Sequence, residues 1–249
     1  MTLQHFFAEN PNVAVAFSGG VDSAYLLWAA KQYGNKIRAY YVKTPFQPQF
    51  EYEDALTIAR QLDVPMTTVE LDILADPAVA ANPKDRCYHC KRQLFTALLD
   101  AARADGFPII LDGTNASDDA SDRPGMVALW ELGVRSPLRE CGLTKSEIRR
   151  LSRDAGLFTH DKPAYACLAT RIPTGTTITA ELLSRTERCE GFLRELGFSD
   201  FRIRLMGDAA RIQIREDQLG LLLTHREAIL SGLKKDHSAV LLDLEVRHA

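Results

Sequence analysis

The sequence predicts an α/β protein, a parallel sheet with helices on both faces, followed by a small α+β domain. Three observations lead there. Short apolar runs alternate with helix-periodic stretches between residues 13 and 155, the pattern of a parallel sheet buried between helical layers. A glycine turn lies where the first run meets the first helix. Beyond about residue 165 the alternation gives way to one amphipathic helix and a hairpin.

Taken in order, Val13 to Phe17 is an apolar run that stops at Ser18-Gly19-Gly20. A helical pattern follows through Ala24, Leu27, Trp28 and Lys31. Ile37 to Val42 reads as a second strand, Glu51 to Leu62 as a second helix and Thr67 to Leu71 as a third strand. Lys91 to Arg103 carries Leu94, Phe95, Leu98 and Leu99 at helical spacing, and Phe107 to Leu111 is a fourth strand. Thr144 and Glu147 have capping-box spacing and open a helix to about Ala155. Pro163 to Thr177 is irregular, with Pro173 and Gly175 as breakers. Glu181 to Leu196 is amphipathic, with Leu182, Thr186, Cys189, Leu193 and Leu196 as its stripe. Phe201 to Leu205 and Ala210 to Ile214 flank Gly207-Asp208 as a hairpin, and helix Gln218 to Gly232 and strand Val240 to Leu244 complete the pattern. Two domains follow: residues 1–164 for nucleotide binding and 165–249 as a substrate or oligomerisation domain.

Composition excludes several classes. The 249 residues carry 30 Lys and Arg against 33 Asp and Glu, a formal charge of −3. That balance leaves no nucleic-acid footprint at whole-chain level. No run of about 18 apolar residues could span a membrane, and the first ten residues have neither the basic start nor the apolar core of a signal peptide. Five cysteines, an odd number, argue against a disulfide framework and for reduced thiols in the cytoplasm.

Ser18-Gly19-Gly20-Val21-Asp22-Ser23 joins the first strand to the first helix. Glycines let backbone approach an anion, and a helix N-terminus offers free N–H groups with partial positive charge. Ser18 and Ser23 add hydroxyl donors. Asp22 repels an anion on its own and makes sense as a magnesium ligand. A tight strand–helix turn would need only Ser-Gly-Gly, so the full hexapeptide favours anion binding. With adjacent glycines and no following lysine, it is neither of the two common glycine-rich nucleotide loops.

The hexapeptide resembles the signature of the PP-loop ATP pyrophosphatases, whose first domain has the adenine nucleotide alpha hydrolase-like fold. The resemblance implies that residues 18–23 cradle the β- and γ-phosphates of ATP and magnesium, while a substrate oxygen attacks the α-phosphorus to form an adenylate. Asp112-Gly113-Thr114-Asn115 follows the fourth strand on the ligand-binding edge of such a sheet, placing Gly113 at the nucleotide, and Asp122-Arg123-Pro124-Gly125 comes next. Gly133 to Leu138, Asp161 to Arg171, Arg202-Ile203-Arg204 and Ala209 to Ile212 then resemble the LarE-type ATP-dependent sulfur transferases over nearly the whole chain. Such enzymes convert the carboxylates of a pyridinium-3,5-dicarboxylate mononucleotide to thiocarboxylates for the nickel-pincer cofactor, and are often higher homo-oligomers. The resemblance makes Arg123, Arg202 and Arg204 substrate-binding residues, with Glu190 beside them.

Cys167 lies in the irregular segment with Lys162 and Arg171 near in sequence, and nearby cations favour a thiolate. From the residues alone, a buried structural cysteine is an equal reading; the resemblance makes Cys167 the sulfur-handling residue. Cys87 and Cys90 form Cys-Tyr-His-Cys, a spacing that can hold zinc, an iron–sulfur cluster or nothing. With Cys167 they supply the three thiolates of a [4Fe–4S] cluster with one open iron. Two sulfur routes therefore remain: a cluster on Cys87, Cys90 and Cys167, which the ligand count favours, or sacrifice of the Cys167 sulfur itself. Cys189 on the helix stripe and Cys141 before Gly142 read as structural.

Arg202 and Arg204 alternate with Phe201, Ile203 and Leu205 and so share one strand face, suited to a phosphate. A solvated strand face is the ordinary alternative. The chain departs from the family at Gln213, where an acidic residue is usual, at Leu221, at Thr174 and in its short ending, where Arg247 is the nearest arginine. The competing readings are another PP-loop adenylating enzyme, acting in tRNA thiolation or NAD synthetase-like amidation, and a non-enzymatic nucleotide or iron–sulfur module.

Overall fold

The computed structural model describes residues 1–118 and 124–247. Its contacts divide the chain into two units, Met1–Ile73 with Asp85–Lys162, and Leu74–Lys84 with Pro163–Ala249. The excursion of Leu74–Lys84 into the second unit has no signature in the sequence.

The first unit holds α1 (Leu3–Glu9), β1 (Asn12–Ala16), α2 (Val21–Tyr33), β2 (Lys36–Lys43), α3 (Gln49–Gln61) and β3 (Met66–Glu70). After α4 (Pro77–Ala80), which belongs to the second unit, it continues with α5 (Arg86–Ala104), β4 (Ile110–Leu111), α6 (Pro124–Glu131), α7 (Pro137–Glu140) and α8 (Lys145–Asp154). The four strands are all parallel, in the order β3-β2-β1-β4. Because successive strand residues point to opposite faces, Val13, Val15, Ala39 and Tyr41 join a core with α1, α2 and α3, while Ala14, Tyr40 and Ile110 join another with α5 and α6. Both faces are thus covered, as the apolar runs predict.

Several elements differ in extent from the sequence reading. β4 keeps only two residues of the predicted five-residue strand: its second edge meets a single bridge, Leu111 to Arg135, rather than a full strand, and Pro108 lacks an N–H to donate. α5 starts at Arg86, not Lys91, which brings Cys87 and Cys90 into its opening turns. The capping box of α8 forms as predicted: Thr144 Oγ1 accepts from Glu147 N–H and Glu147 accepts from Thr144 N–H.

The second unit adds α9 (Ala180–Glu195), β5 (Arg202–Met206), β6 (Ala209–Gln213), α10 (Leu219–Thr224), α11 (Arg226–Leu233) and β7 (Val240–Leu242). β5 and β6 are antiparallel around Gly207 (φ +59°), and β7 runs parallel to β6. Cys189, Leu193, Ile203, Ile212 and Ile229 form its core, so Cys189 is a packing residue. The predicted helix over 218–232 is broken at His225, where Thr224 Oγ1 bonds back to Gly220 O and competes with regular helix continuation.

Candidate active site

β1 ends at Ala16 and α2 begins at Val21, so Ser18 to Gly20 form the link between them. Gly19 has φ +74°, and a Cβ there would stand 3.1 Å from Ala55 N and from Glu51 O. The loop therefore rests against α3, and only glycine takes both that backbone conformation and that space. Ser23 Oγ lies 3.1 Å from Ser18 Oγ and donates to Gly20 O, closing the loop on itself. Gly113, after β4, packs against the same turn: a Cβ there would meet Ser23 N at 3.0 Å and Ser23 Cα at 3.2 Å.

Ser18, Gly20, Asp22, Ser23 and Gly113 line a cavity of about 350 Å³ together with Tyr40, Val42, Gln47, Lys91, Phe95, Asp112, Thr114 and Asp118. The wall combines aromatic and aliphatic surface with a few polar groups, in the size range of small-molecule sites. Asp112 is tied down, accepting from Ser136 Oγ at 2.6 Å and from Thr114 Oγ1.

Asp22 is the unusual group. Its Oδ2 lies 2.5 Å from Lys145 Nζ, while its Oδ1 is buried without a hydrogen bond. Burial raises its pKa above the ordinary aspartate value, opposed by the hydrogen bond and charge of Lys145 and reinforced by Asp118. An unsatisfied buried carboxylate oxygen is costly in an apo protein, and a cation would satisfy it. Magnesium commonly uses one or two carboxylates with substrate phosphates and water, so Asp22, with Asp118 nearby, fits that ion. Lys145 and Asp118 are absent from the sequence reading, although Lys145 directly follows the capping residue Thr144.

In the second unit, Cys167 precedes a short turn of helix, Leu168–Arg171. Arg171 fixes it. Its guanidinium is fully buried, 2.7 Å from Glu190, and donates to Ala166 O at 2.9 Å and Cys167 O at 3.3 Å. Tyr165 donates to Glu190, and its ring lies under the guanidiniums of Arg171 and Arg202. Arg202 donates to Ala164 O at 2.6 Å and Arg204 to Thr170 O at 2.9 Å.

The face carrying Arg202 and Arg204 is thus not a solvated one. Arg202 is 5% exposed, and burial with the charges of Arg171 and Arg247 pushes its pKa down to about 10. Among the described residues the hydrogen-bond acceptors of Arg204 are neutral, Thr170 O and Gln213 Oε1. Among the described residues, five guanidiniums, of Arg171, Arg202, Arg204, Arg211 and Arg247, here meet three carboxylates, of Glu190, Asp200 and Asp243. Such a surplus favours an anion.

Some predicted groups are placed differently. Lys162 belongs to the first unit, paired with Asp54 at 2.7 Å, and Arg171 belongs to the second unit with Cys167. Cys87 is exposed and Cys90 partly buried on one turn of α5, whereas Cys167 is in the second unit. Among the described residues no three His, Cys, Asp or Glu side chains form a metal-binding group. Arg123 lies outside the described residues.

The parallel sheet with a glycine loop between its β1 and α2 has the architecture of a PP-loop ATP-utilising enzyme. Residues 12–87 match the family model described as queuosine biosynthesis protein QueC. The chain is 32% identical to the pyridinium-3,5-bisthiocarboxylic acid mononucleotide synthase of Lactiplantibacillus plantarum, over 92% of this chain and 83% of that one. It is 38% identical to the uncharacterized protein slr1717 of Synechocystis sp., over 87% and 81% of the two chains. A tRNA-specific 2-thiouridylase of Clostridium botulinum is 25% identical over 60% of this chain and 52% of its own. The chain belongs to the LarE-type family of ATP-dependent sulfur transferases. No helix among the described residues is long and apolar enough to cross a membrane.

Proposed function

We propose that the enzyme adenylates the carboxylates of a pyridinium-3,5-dicarboxylate mononucleotide and replaces them with thiocarboxylates for nickel-pincer cofactor synthesis, with sulfur delivered at Cys167. The observation that carries this reading is the guanidinium surplus around the Cys167 turn, which suits a phosphorylated, carboxylated substrate presented to a thiol. Residues 18–23 and Gly113 hold the ATP phosphates through backbone N–H groups and the Ser18 and Ser23 hydroxyls. Lys145 neutralises phosphate charge, and Asp22 holds the magnesium that supplies further charge neutralisation. Arg202 and Arg204, with Arg123, bind the substrate's anionic groups.

In the first step a substrate carboxylate oxygen attacks the α-phosphorus and pyrophosphate leaves. The Cys167 thiolate then attacks the acyl carbon and AMP leaves, giving a thioester. Loss of the Cα proton of residue 167 with cleavage of its Cβ–S bond releases the thiocarboxylate and leaves dehydroalanine. A [4Fe–4S] cluster held by Cys87, Cys90 and Cys167 would instead supply a transferable sulfide and spare the cysteine. Two thiols one turn apart at the start of α5, with Arg86 Nη2 3.7 Å from Cys87 Sγ, support that second route.

A formal charge of −3 argues against tRNA as substrate, since backbone binding wants a basic surface. The reading implies a cytoplasmic homo-oligomer, which light scattering tests. The deciding assay is pyrophosphate release with ATP, magnesium and the pyridinium dicarboxylate mononucleotide, with the protein mass recorded afterwards. Release that requires this substrate is the expected result; ATP binding without release would overturn the reading.

A further inference from the structure

Lys162 ends the first unit, and its ammonium lies behind the phosphate loop. Its Nζ is 2.7 Å from Asp54 Oδ2, 4.0 Å from Glu51 Oε1 and 3.4 Å from Gly19 O, with 14% of the side chain exposed. Arg149 of α8 holds the backbone on either side of it, donating to His160 O at 2.7 Å and Lys162 O at 2.9 Å. The ammonium is thus fixed by α3 and α8 and donates to one loop carbonyl.

That carbonyl belongs to the peptide that must be oriented for anion binding. Gly19 has φ +74°, and with Gly20 next to it neither residue has a side chain to resist rotation of the peptide between them. A rotated peptide would turn its carbonyl dipole toward the phosphates and its N–H away, replacing attraction with repulsion. The contacts of Gly19 with α3 limit where the loop lies, and within the loop the Gly20 N–H meets Ser18 Oγ at 3.5 Å, so Lys162 is the anchor of this peptide from outside the loop.

We propose that Lys162 is a positioning residue that holds the Gly19 carbonyl away from the nucleotide, so that the Gly20 N–H faces the phosphates. It touches neither substrate nor cofactor. The inference rests on ATP binding at the loop, not on the identity of the carboxylate substrate or the source of sulfur.

The test is calorimetric binding of magnesium-ATP to the full chain without a second substrate, together with hydrogen exchange at Gly20 and Val21. Lys162→Met should weaken ATP binding about tenfold or more, the weight of a hydrogen bond to a charged group, and should speed exchange at Gly20. Lys162→Arg should restore most of the affinity. Asp54→Asn keeps the ammonium and its bond to Gly19 while removing the ion pair, so it should bind ATP within about twofold of the parent. Unchanged affinity in Lys162→Met overturns the proposal, as does an equal loss in Asp54→Asn that tracks its melting temperature. Failure of the parent chain to bind ATP would instead overturn the reading of the loop as a nucleotide site.

Discussion

Lys145 Nζ stands 2.5 Å from Asp22 Oδ2, so the first residue of α8 closes onto the first turn of α2. The ammonium is the largest influence holding the Asp22 carboxyl down against a burial that pushes it up. Asp22 must be ionised to hold magnesium. Lys145→Met should therefore move the acid limb of the pyrophosphate-release profile to higher pH, and the variant should lose a larger fraction of its pH 8 rate at pH 6 than the parent does.

The same shift gives a stability prediction of opposite sense. A carboxyl whose folded pKa is raised above its unfolded value favours folding at low pH, and that contribution is lost as pH rises through the folded pKa. At neutral pH the ionised Asp22 is therefore a burden on the fold. Asp22→Asn should abolish magnesium-dependent turnover without lowering the melting temperature at pH 7.5, as measured by calorimetry.

Gly113→Ala tests the other wall of the loop. Its new Cβ would lie 3.0 Å from Ser23 N and 3.3 Å from Asp22 C, atoms of a helix backbone that cannot step aside singly. Displacing the first turn of α2 would misalign the proposed phosphate donors. We expect kcat/KM for ATP to fall by about tenfold or more, with an unchanged circular dichroism spectrum.

The parts of this site that rest on local sequence patterns were readable before any coordinates. The loop between β1 and α2 follows from a glycine turn between an apolar run and a helical period, and the capping box of α8 from Thr144 and Glu147. Lys145 meeting Asp22 was not readable, because a contact across 123 residues has no local pattern. The ion pair of Lys162 with Asp54 has no local pattern either, since it spans 108 residues. The Arg202 and Arg204 alternation gave their common face but not its burial, which depends on Tyr165 and Arg171 packing over it.

Arg171 and Glu190 form a buried pair, with side chains 0% and 1% exposed. Removing one partner leaves the other charge without compensation. Arg171→Met should cost about 3–5 kcal/mol in urea unfolding and should sharply reduce sulfur transfer, because the guanidinium that ties the Ala166 and Cys167 carbonyls to Glu190 is gone, leaving only Thr170 to hold Cys167 O. In Arg171→Met/Glu190→Gln much of the stability should return, since glutamine can still accept from Ile203 N–H. Activity should not return with it.

His237 is 4% exposed, and its Nε2 is buried without a hydrogen bond. Burial lowers its pKa below 6.5, reinforced by Arg185 and opposed by Asp236 and Asp208. The unfolded chain then binds the proton more readily, so stability is lost as pH falls from about 6.5 toward the folded pKa. His237→Leu should flatten the fall in melting temperature between pH 7 and pH 5.5; an unchanged slope would assign that acid sensitivity elsewhere.

Cys87 and Cys90 decide between the sulfur routes, whereas Cys167 is common to both. The first two thiols lie in the opening turns of α5, one exposed and one partly buried. If those thiolates hold a cluster, Cys87→Ser/Cys90→Ser should lose iron and acid-labile sulfide and give no more than one thiocarboxylate per chain. Pyrophosphate release should persist, because the residues proposed to bind ATP, around Asp22, are a separate set. Repeated turnover at the parent rate, measured anaerobically with added sulfide, would exclude the cluster. Dehydroalanine at position 167 in the parent chain after one turnover would identify the Cys167 sulfur as the one transferred.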